Sequence, residues 1–389
     1  MKKLYHAHQQ HAATMLHAIL VEGKQSEDVV RKMTAIHKEW GSNDRKTILN
    51  LLYGVLRNKL LYEYLLEKSG EEITLEKQVA IQAWKDQMIV QEHQLSSEVI
   101  QHIQEILNDK IPEHIRVSVP EWLYPLNKEN TFEEWHSMLK PADTCIRVNT
   151  LITTKDKVCK KLDELSVNYT LLPGDAIRIH QKVQLTKWEI YQKGWFEIQD
   201  ESSQQVAPFM ELKDGMNILD GCCGAGGKSL HIAALLNNKG NIWSTDIHSH
   251  KIEQLKIRAQ RAKATCIQAL VITDEFISNH TNTFDQILLD VPCSSLGTLR
   301  RKPEIKYSIT PESLQSIVKT QQDILHRYSV MLKKGGRLIY STCSILPMEN
   351  EENMAAFLKL HSDFKLEKSR RISPTHGSDG FFMASMIKL

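Results

Sequence analysis

The sequence predicts an α/β protein whose C-terminal part is a doubly wound open sheet, preceded by a small α/β module and an N-terminal helical domain. Three observations predict it. From about residue 211 onward, short apolar strands alternate with helical segments. A glycine-rich loop, "DGCCGAGGKS", follows the first of these strands directly. Carboxylates close successive strands at Asp220, Asp246, Asp274 and Asp290. In open sheets of this class, ligands bind at the carboxyl ends of the strands, near the point where strand order reverses.

Residues 1–120 read as helical. In "RKTILNLLYGVLRNKLLYEYLLEKSG", Ile48, Leu51, Leu52, Val55 and Leu56 fall on one side at helical spacing. Ser42 to Asp44 offer cap residues before that run and Gly70 offers a stop. "IPEHIRVSVPEW" then breaks the pattern with two prolines. Residues 121–210 form the small module: "TCIRVNTL", "AIRIHQKV" and "GWFEIQ" read as strands, and "TKDKVCKKLDEL" as a helix with Thr154 as its cap. Over 211–389 the strands are "MNILD", "GNIWSTDI", "CIQALVI", "FDQILLDV" and "RLIYSTC", with "FKLEK" and "GFFMASMIKL" closing the sheet.

Composition excludes several classes. No apolar stretch approaches the roughly 20 residues that cross a bilayer. The start, "MKKLYHAHQQ", lacks the features of a signal peptide, so a cytoplasmic protein is expected, with no membrane partner. Seven scattered cysteines, an odd number with no CxxC, argue against a disulfide framework. Cys222 and Cys223 are adjacent and poorly spaced for one tetrahedral zinc, so no metal is expected. The formal net charge of +2 favours no partner; only the local cluster "LRRKPEIK" stands out.

Three readings compete for the glycine loop. A Walker A loop needs GxxxxGK[ST]; Gly227, Lys228 and Ser229 fit its end, but Cys222 stands where the first glycine belongs. A GxGxxG dinucleotide fingerprint does not register. The third reading, an S-adenosylmethionine loop, needs close backbone approach, which glycine permits, and carboxylates for ribose and amino groups. Asp246 is placed for ribose hydroxyls and Asp274 for the adenine amine. Some of these acids would instead be helix caps.

Two cysteines close neighbouring segments: Cys293 in "LLDVPCSSLG" and Cys343 in "YSTCS". If their strands are adjacent, both thiols open beside Asp290 into one pocket. A thiol, an acid and a methyl donor suit one chemistry. Carbon 5 of a pyrimidine is too weak a nucleophile to attack a sulfonium methyl. Thiolate addition at carbon 6, with a proton supplied near N3, makes carbon 5 nucleophilic. The thiolate is the attacking form, so neighbours should lower its pKa.

With these residues in view, the chain resembles the RNA cytosine-5 methyltransferases of the NOL/NOP/Sun (NSUN) family, closest to the bacterial 16S rRNA type. The likeness spans residues 111–389 and rests on "RVNT", "GWFEIQDESSQ", "LDGCCGAGGKS", "LLDVPCSSLGTLRRKPEIK", "YSTCSILPMENEEN" and "DGFFMA". It implies a class I (Rossmann-like) S-adenosylmethionine-dependent methyltransferase with an antiparallel last strand. It makes Cys343 the nucleophile and Cys293 the residue that assists proton removal or product release. DNA cytosine methyltransferases use a Pro-Cys cysteine as nucleophile, so residue chemistry alone leaves these two roles open. Asp290 would bind the cytosine and touch the cofactor, and Lys228 would sit near the reacting centre. Cys222, Cys223, Gly224, Ala225, Gly226, Gly227, Lys228, Asp246, Asp274 and Asp290 would hold S-adenosyl-L-methionine. The family loop reads CAAPGGKT, so this chain lacks its proline, and Ser295 replaces the glycine of PCSGxG.

The expected partner is RNA, rRNA first and tRNA second, bound by a monomer. The target base must be unpaired or flipped out. Arg300, Arg301, Lys302 and Lys306 directly follow the Cys293 motif and are expected to contact RNA. "NDRKTILNLLYGVLR" is similar to a NusB-like RNA-binding domain. The alternatives are a tRNA cytosine-5 methyltransferase, a catalytically silent RNA-binding or ribosome assembly factor, and an NTPase.

Overall fold

The structure, a computed structural model, describes residues 3–128, 131–181 and 183–389. The chain divides into two compact units: Met1–Pro141 with Thr298–Thr310, and Ala142–Gly297 with Pro311–Leu389. The sequence suggested boundaries at 120 and 210; here the small module belongs to one unit with the main sheet, and 298–310 belongs to the helical unit.

The helical unit is built on α1 (His6–Leu20), α2 (Ser26–Ile36), α3 (Ser42–Lys68), α4 (Leu75–Lys85) and α5 (Ser97–Asn108). Ile48, Leu51, Leu52, Val55 and Leu56 are all fully buried, as their spacing requires. The cap differs from expectation. Gly41 is the N-cap, and Asp44 reaches back to accept from the Gly41 N–H at 3.0 Å. Gly70 is left-handed (φ +73°), directly after the Ser69 cap. At Gly54 a Cβ would lie 2.2 Å from Cδ of Gln82, so glycine is what lets α3 pack this closely on α4.

The second unit carries two sheets. The small one is antiparallel, in the order β2 (Tyr169–Leu171), β3 (Ala176–Ile179), β1 (Thr144–Val148), β4 (Phe196–Ile198). Thr154 caps the helix Lys155–Glu164 through its hydroxyl, as expected. The short edge strand β2 carries no clear alternation and was not legible in the sequence.

The main sheet has seven strands: β5 (Asn217–Asp220), β6 (Asn241–Asp246), β7 (Ile267–Val271), β8 (Phe284–Asp290), β9 (Leu332–Thr342), β10 (Phe364–Ile372) and β11 (Phe381–Lys388). Their order is β10-β11-β9-β8-β5-β6-β7. The five from β9 to β7 are parallel, and β11 runs antiparallel to both β9 and β10. Chain order reverses around β5, which lies between β6 and β8. That crevice is where such a sheet binds ligands. Buried apolar side chains on both faces, among them Ile218, Leu288 and Ile339, and Leu289, Leu338 and Tyr340, hold the strand ends rigid. No helix among the described residues is long and apolar enough to cross a membrane.

Candidate active site

The glycine loop runs from β5 into the helix Gly227–Leu235. Gly226 has φ +84°, and a Cβ there would lie 2.0 Å from Cδ1 of Leu255, so any other residue would be strained and would have to displace Leu255. Gly224 is also left-handed (φ +52°), but a Cβ there would meet open space. Its N–H donates to Asp246 Oδ2 at 3.0 Å, while Asp246 Oδ1 accepts from the His248 N–H at 2.9 Å. The carboxylate at the end of β6 thus shapes the loop.

Two arginines brace this loop from behind. Arg258 donates to the Ala225 carbonyl at 2.6 Å, and buried Arg147 donates to the Gly227 carbonyl at 2.8 Å. Glu197 of β4 pairs with Arg258 at 2.9 Å and also binds Arg261. Arg147 lies on β1, so the small sheet is tied to the loop through side chains. Neither arginine was singled out from the sequence, although "RVNT" contains Arg147. The loop lacks the family's proline, yet these guanidinium contacts restrain the backbone where the proline would stand.

Asp220 is not a ligand-facing group. It is fully buried below the loop and accepts from Ser229 Oγ at 2.6 Å. Burial pushes its carboxyl up to about 7. Burial also pushes the Cys222 and Cys223 thiols far up, which leaves both unreactive. Asp274 does not end a strand. It opens the helix Asp274–Asn279, beyond β7, with its side chain 92% exposed and paired to Arg327.

The cofactor that the sequence pattern implies fits the residues present. Gly224 leaves backbone and open space beside Asp246. Ile247, which follows Asp246, is 72% exposed, an apolar surface of the kind a flat base would cover. Ile247 was not legible from the sequence, because an apolar residue at a strand end reads as core.

Strands β8 and β9 are adjacent and parallel, with Asp290 in register with Ser341. Cys293 and Cys343 lie just beyond these ends, and their sulfur atoms are 3.2 Å apart. Asp290 Oδ2 lies 2.5 Å from Lys228 Nζ, and Asp290 Oδ1 accepts from Ser341 Oγ at 2.9 Å. The Lys228 side chain is only 11% exposed and does not reach into solvent as a helix-start lysine would. Cys343 Sγ also lies 3.5 Å from Ser295 Oγ.

The two thiols differ. The Cys343 thiol is lowered, first by its hydrogen bond with Cys293 and further by the Ser295 hydroxyl and the Lys228 charge, against burial. The Cys293 thiol is raised, first by the same hydrogen bond and then by burial. The two thiols share one hydrogen bond and titrate as a pair, with Cys343 the more acidic member. Ser295 has φ +59°, a conformation that favours glycine. Its hydroxyl gives Cys343 a neighbour that glycine could not.

The four cations expected at RNA divide. Lys306 is buried, donates to the Arg57 carbonyl at 2.9 Å, and has its ammonium pushed well below the usual range by burial. Arg300 is also buried and donates to the Pro141 carbonyl at 3.0 Å. These two are corrected to packing residues of the helical unit, because a cation removed from water is not available to a phosphate. Lys302 pairs with Glu27 at 3.1 Å and is partly exposed, as is Arg301. Among the described residues no group of acids, histidines and cysteines is arranged to hold a metal.

Comparison with known proteins agrees with this geometry. Residues 207–387 match the family described as 16S rRNA methyltransferase RsmB/F. A probable ribosomal RNA small subunit methyltransferase B of Synechocystis sp. is 31% identical over 312 residues, covering 72% of this chain and 69% of that protein. One from Bacillus subtilis is 34% identical over 294 residues, covering 69% of this chain and 65% of its own. The chain thus spans about two thirds of these relatives. Among solved structures, PH0851 is similar over the full length of both chains, with a TM-score of 0.80 and 23% identity. NSun6 from Pyrococcus horikoshii, solved with SFG, covers 69% of this chain and 98% of its own, with a TM-score of 0.63 and 20% identity. These two share the fold. With its glycine loop, its paired cysteines and this degree of identity, the chain belongs to the RsmB/F family of 16S rRNA methyltransferases.

Proposed function

We propose that this chain methylates carbon 5 of a cytosine in 16S rRNA through a covalent adduct on Cys343. The observation that carries the reading is the 3.2 Å approach of two sulfur atoms beside the Lys228–Asp290 ion pair. S-adenosylmethionine supplies the electrophilic methyl group. Its adenosine part is assigned to Asp246, Asp274, Ile247 and the loop 222–228. Everything else belongs to side chains of this protein.

Cys343, the lower-pKa thiol, adds to carbon 6. As it does so, N3 must gain a proton. Asp290 faces that edge of the base in this reading, and its Lys228 partner holds a proton at hydrogen-bond distance from it. This answers the electrostatic difficulty of keeping a lone acid protonated beside a sulfonium: the proton is stored on a neighbouring ammonium instead. The adduct is nucleophilic at carbon 5. After methylation a water molecule takes the carbon 5 proton, N3 returns its proton to the Asp290–Lys228 pair, and the carbon–sulfur bond breaks with its electron pair leaving on Cys343 as the thiolate. Cys293 is assigned to that final stage, in hydrogen-bond contact with the departing sulfur. Arg301 and Lys302 remain the cations proposed for RNA contact.

Bisulfite sequencing of total RNA from cells with and without this protein tests the reading. Loss of one methylcytosine in 16S rRNA is the expected result. Loss of a tRNA methylcytosine instead would redirect the substrate. Unchanged methylation alongside retained RNA binding would make the chain an assembly factor.

A further inference from the structure

One buried acid lies against both cysteine loops. Glu349 lies in a short 3-10 turn (Pro347–Glu349) ahead of the helix Glu351–Leu360 and is fully buried. It accepts from the Ser294 N–H at 2.8 Å, from Gln321 Nε2 at 3.1 Å, and from the hydroxyls of Ser294 and Ser344. Four donors fill the four lone-pair sites of an ionised carboxylate. Ser294 follows Cys293 directly, and Ser344 follows Cys343. One side chain therefore holds the residues next to both reactive sulfurs.

The surroundings extend the same contact. Gln321 also donates to the carbonyl of Pro292, just ahead of Cys293, at 3.1 Å. Tyr340, on the strand that leads to Cys343, donates to the Glu349 carbonyl at 2.6 Å. Asn353 donates to both Gln321 and Tyr340 at 3.0 Å. These four donors are all neutral, so the carboxylate is solvated by dipoles, an expensive arrangement for packing alone.

We infer that Glu349 is a positioning residue that sets the spacing of the two cysteine loops and, as a buried negative charge, keeps the shared proton on Cys293 so that Cys343 is the nucleophile. The inference rests on the proposed covalent reading. The Glu349 charge is among the causes that raise the Cys293 thiol, which supports the asymmetry. Residue chemistry left the choice between the two cysteines open; the carboxylate makes two contacts with Ser294, beside Cys293, and one with Ser344, beside Cys343, and that bias favours Cys343 as the nucleophile.

The test is thiol labelling of the full chain without RNA. Initial rates of iodoacetamide alkylation are followed at Cys343 and Cys293 by peptide mass spectrometry from pH 6 to 9. In the wild type, Cys343 reacts first and at lower pH. Glu349→Gln keeps the shape and removes the charge; the Cys343-to-Cys293 rate ratio at pH 7 should fall about tenfold, equivalent to about one pKa unit. Glu349→Asp should restore part of it. Ser294→Ala and Ser344→Ala, which keep the charge and loosen one loop each, should shift the ratio less and serve if Glu349→Gln does not fold. A folded Glu349→Gln protein with the wild-type ratio and pH profile would overturn the proposal. So would serine variants that leave the ratio untouched if Glu349→Gln is unfolded. Because no methyl transfer is involved, the result stands apart from whether the substrate is cytosine.

Discussion

Asp290 and Ser341 are register partners on neighbouring parallel strands, and the Ser341 hydroxyl donates to the Asp290 carboxylate at 2.9 Å. This pairing fixes where β8 and β9 end relative to one another. Both cysteine loops leave from those ends, and their sulfur atoms meet 3.2 Å apart. Cys343→Ala should therefore abolish methyl transfer, by a factor of at least about a thousand, because the activated carbon 5 is never formed. Cys293→Ala should still permit adduct formation, more slowly near neutral pH because Cys343 loses the hydrogen bond that lowers its thiol, and should block release. A covalent protein–RNA band on a denaturing gel should accumulate for Cys293→Ala and be missing for Cys343→Ala.

Single-turnover methylation should rise with pH as Cys343 loses its proton, with a midpoint below the usual thiol value. Lys228 contributes to that lowering through its charge. Removing a nearby cation favours the neutral thiol, so Lys228→Met should move the midpoint up. A pH–rate profile for the two proteins measures the shift directly. Lys228→Met should also reduce the plateau, since Asp290 loses its proton partner.

Arg147 and Arg258 hold carbonyls of the cofactor loop, Gly227 and Ala225. A hydrogen bond from a charged group contributes about 1.5–3 kcal/mol. Arg258→Met should weaken S-adenosylmethionine binding roughly tenfold, with little effect on RNA affinity. Isothermal titration with the cofactor and a separate RNA-binding assay distinguish the two effects.

Burial raises the Asp220 carboxyl to about 7 in the folded protein, against 3.8 for an aspartate in water. Between those values the folded state binds the proton and the unfolded state does not. Stability therefore falls as pH rises from about 4 to about 7, by at most on the order of 4 kcal/mol from this one group. Asp220→Asn removes that slope and should be relatively more stable at pH 8 than at pH 5. The imidazole of His231, which burial lowers, acts in the opposite direction below the ordinary histidine value of 6.5, so the difference between variant and wild type is the informative quantity. Urea denaturation at several pH values supplies it.

Lys306 carries an amine buried in the helical unit with its pKa pushed well down. Lys306→Met keeps the apolar stem and removes the buried amine. It should match or exceed wild-type stability in thermal unfolding, and RNA affinity should not change. Lys302→Ala, which removes a partly exposed cation, should instead weaken RNA binding and flatten its salt dependence.

Much of this molecule was determined by local sequence. The alternation of strands and helices, the buried stripe of α3 and the Thr154 cap follow from periodicity and hydrogen-bonding chemistry that act within a few residues. The glycine loop was legible for the same reason: Gly226 occupies a backbone conformation and a space that disfavour other residues.

What tertiary structure decided depends on residues far apart in the chain. The sulfur contact joins positions 50 residues apart, and the arginines that brace the loop reach it from 80 and 33 residues away. Glu349 and Lys306 look like ordinary charges in the sequence; both are buried, one among four donors and one against a helix carbonyl. A charge is written identically whether it faces water or a packed interior. Only the folded chain settles its solvation, and solvation is what distinguishes a thiolate from a thiol, a buried carboxyl from an exposed one, and a cation free to meet phosphate from one committed to packing.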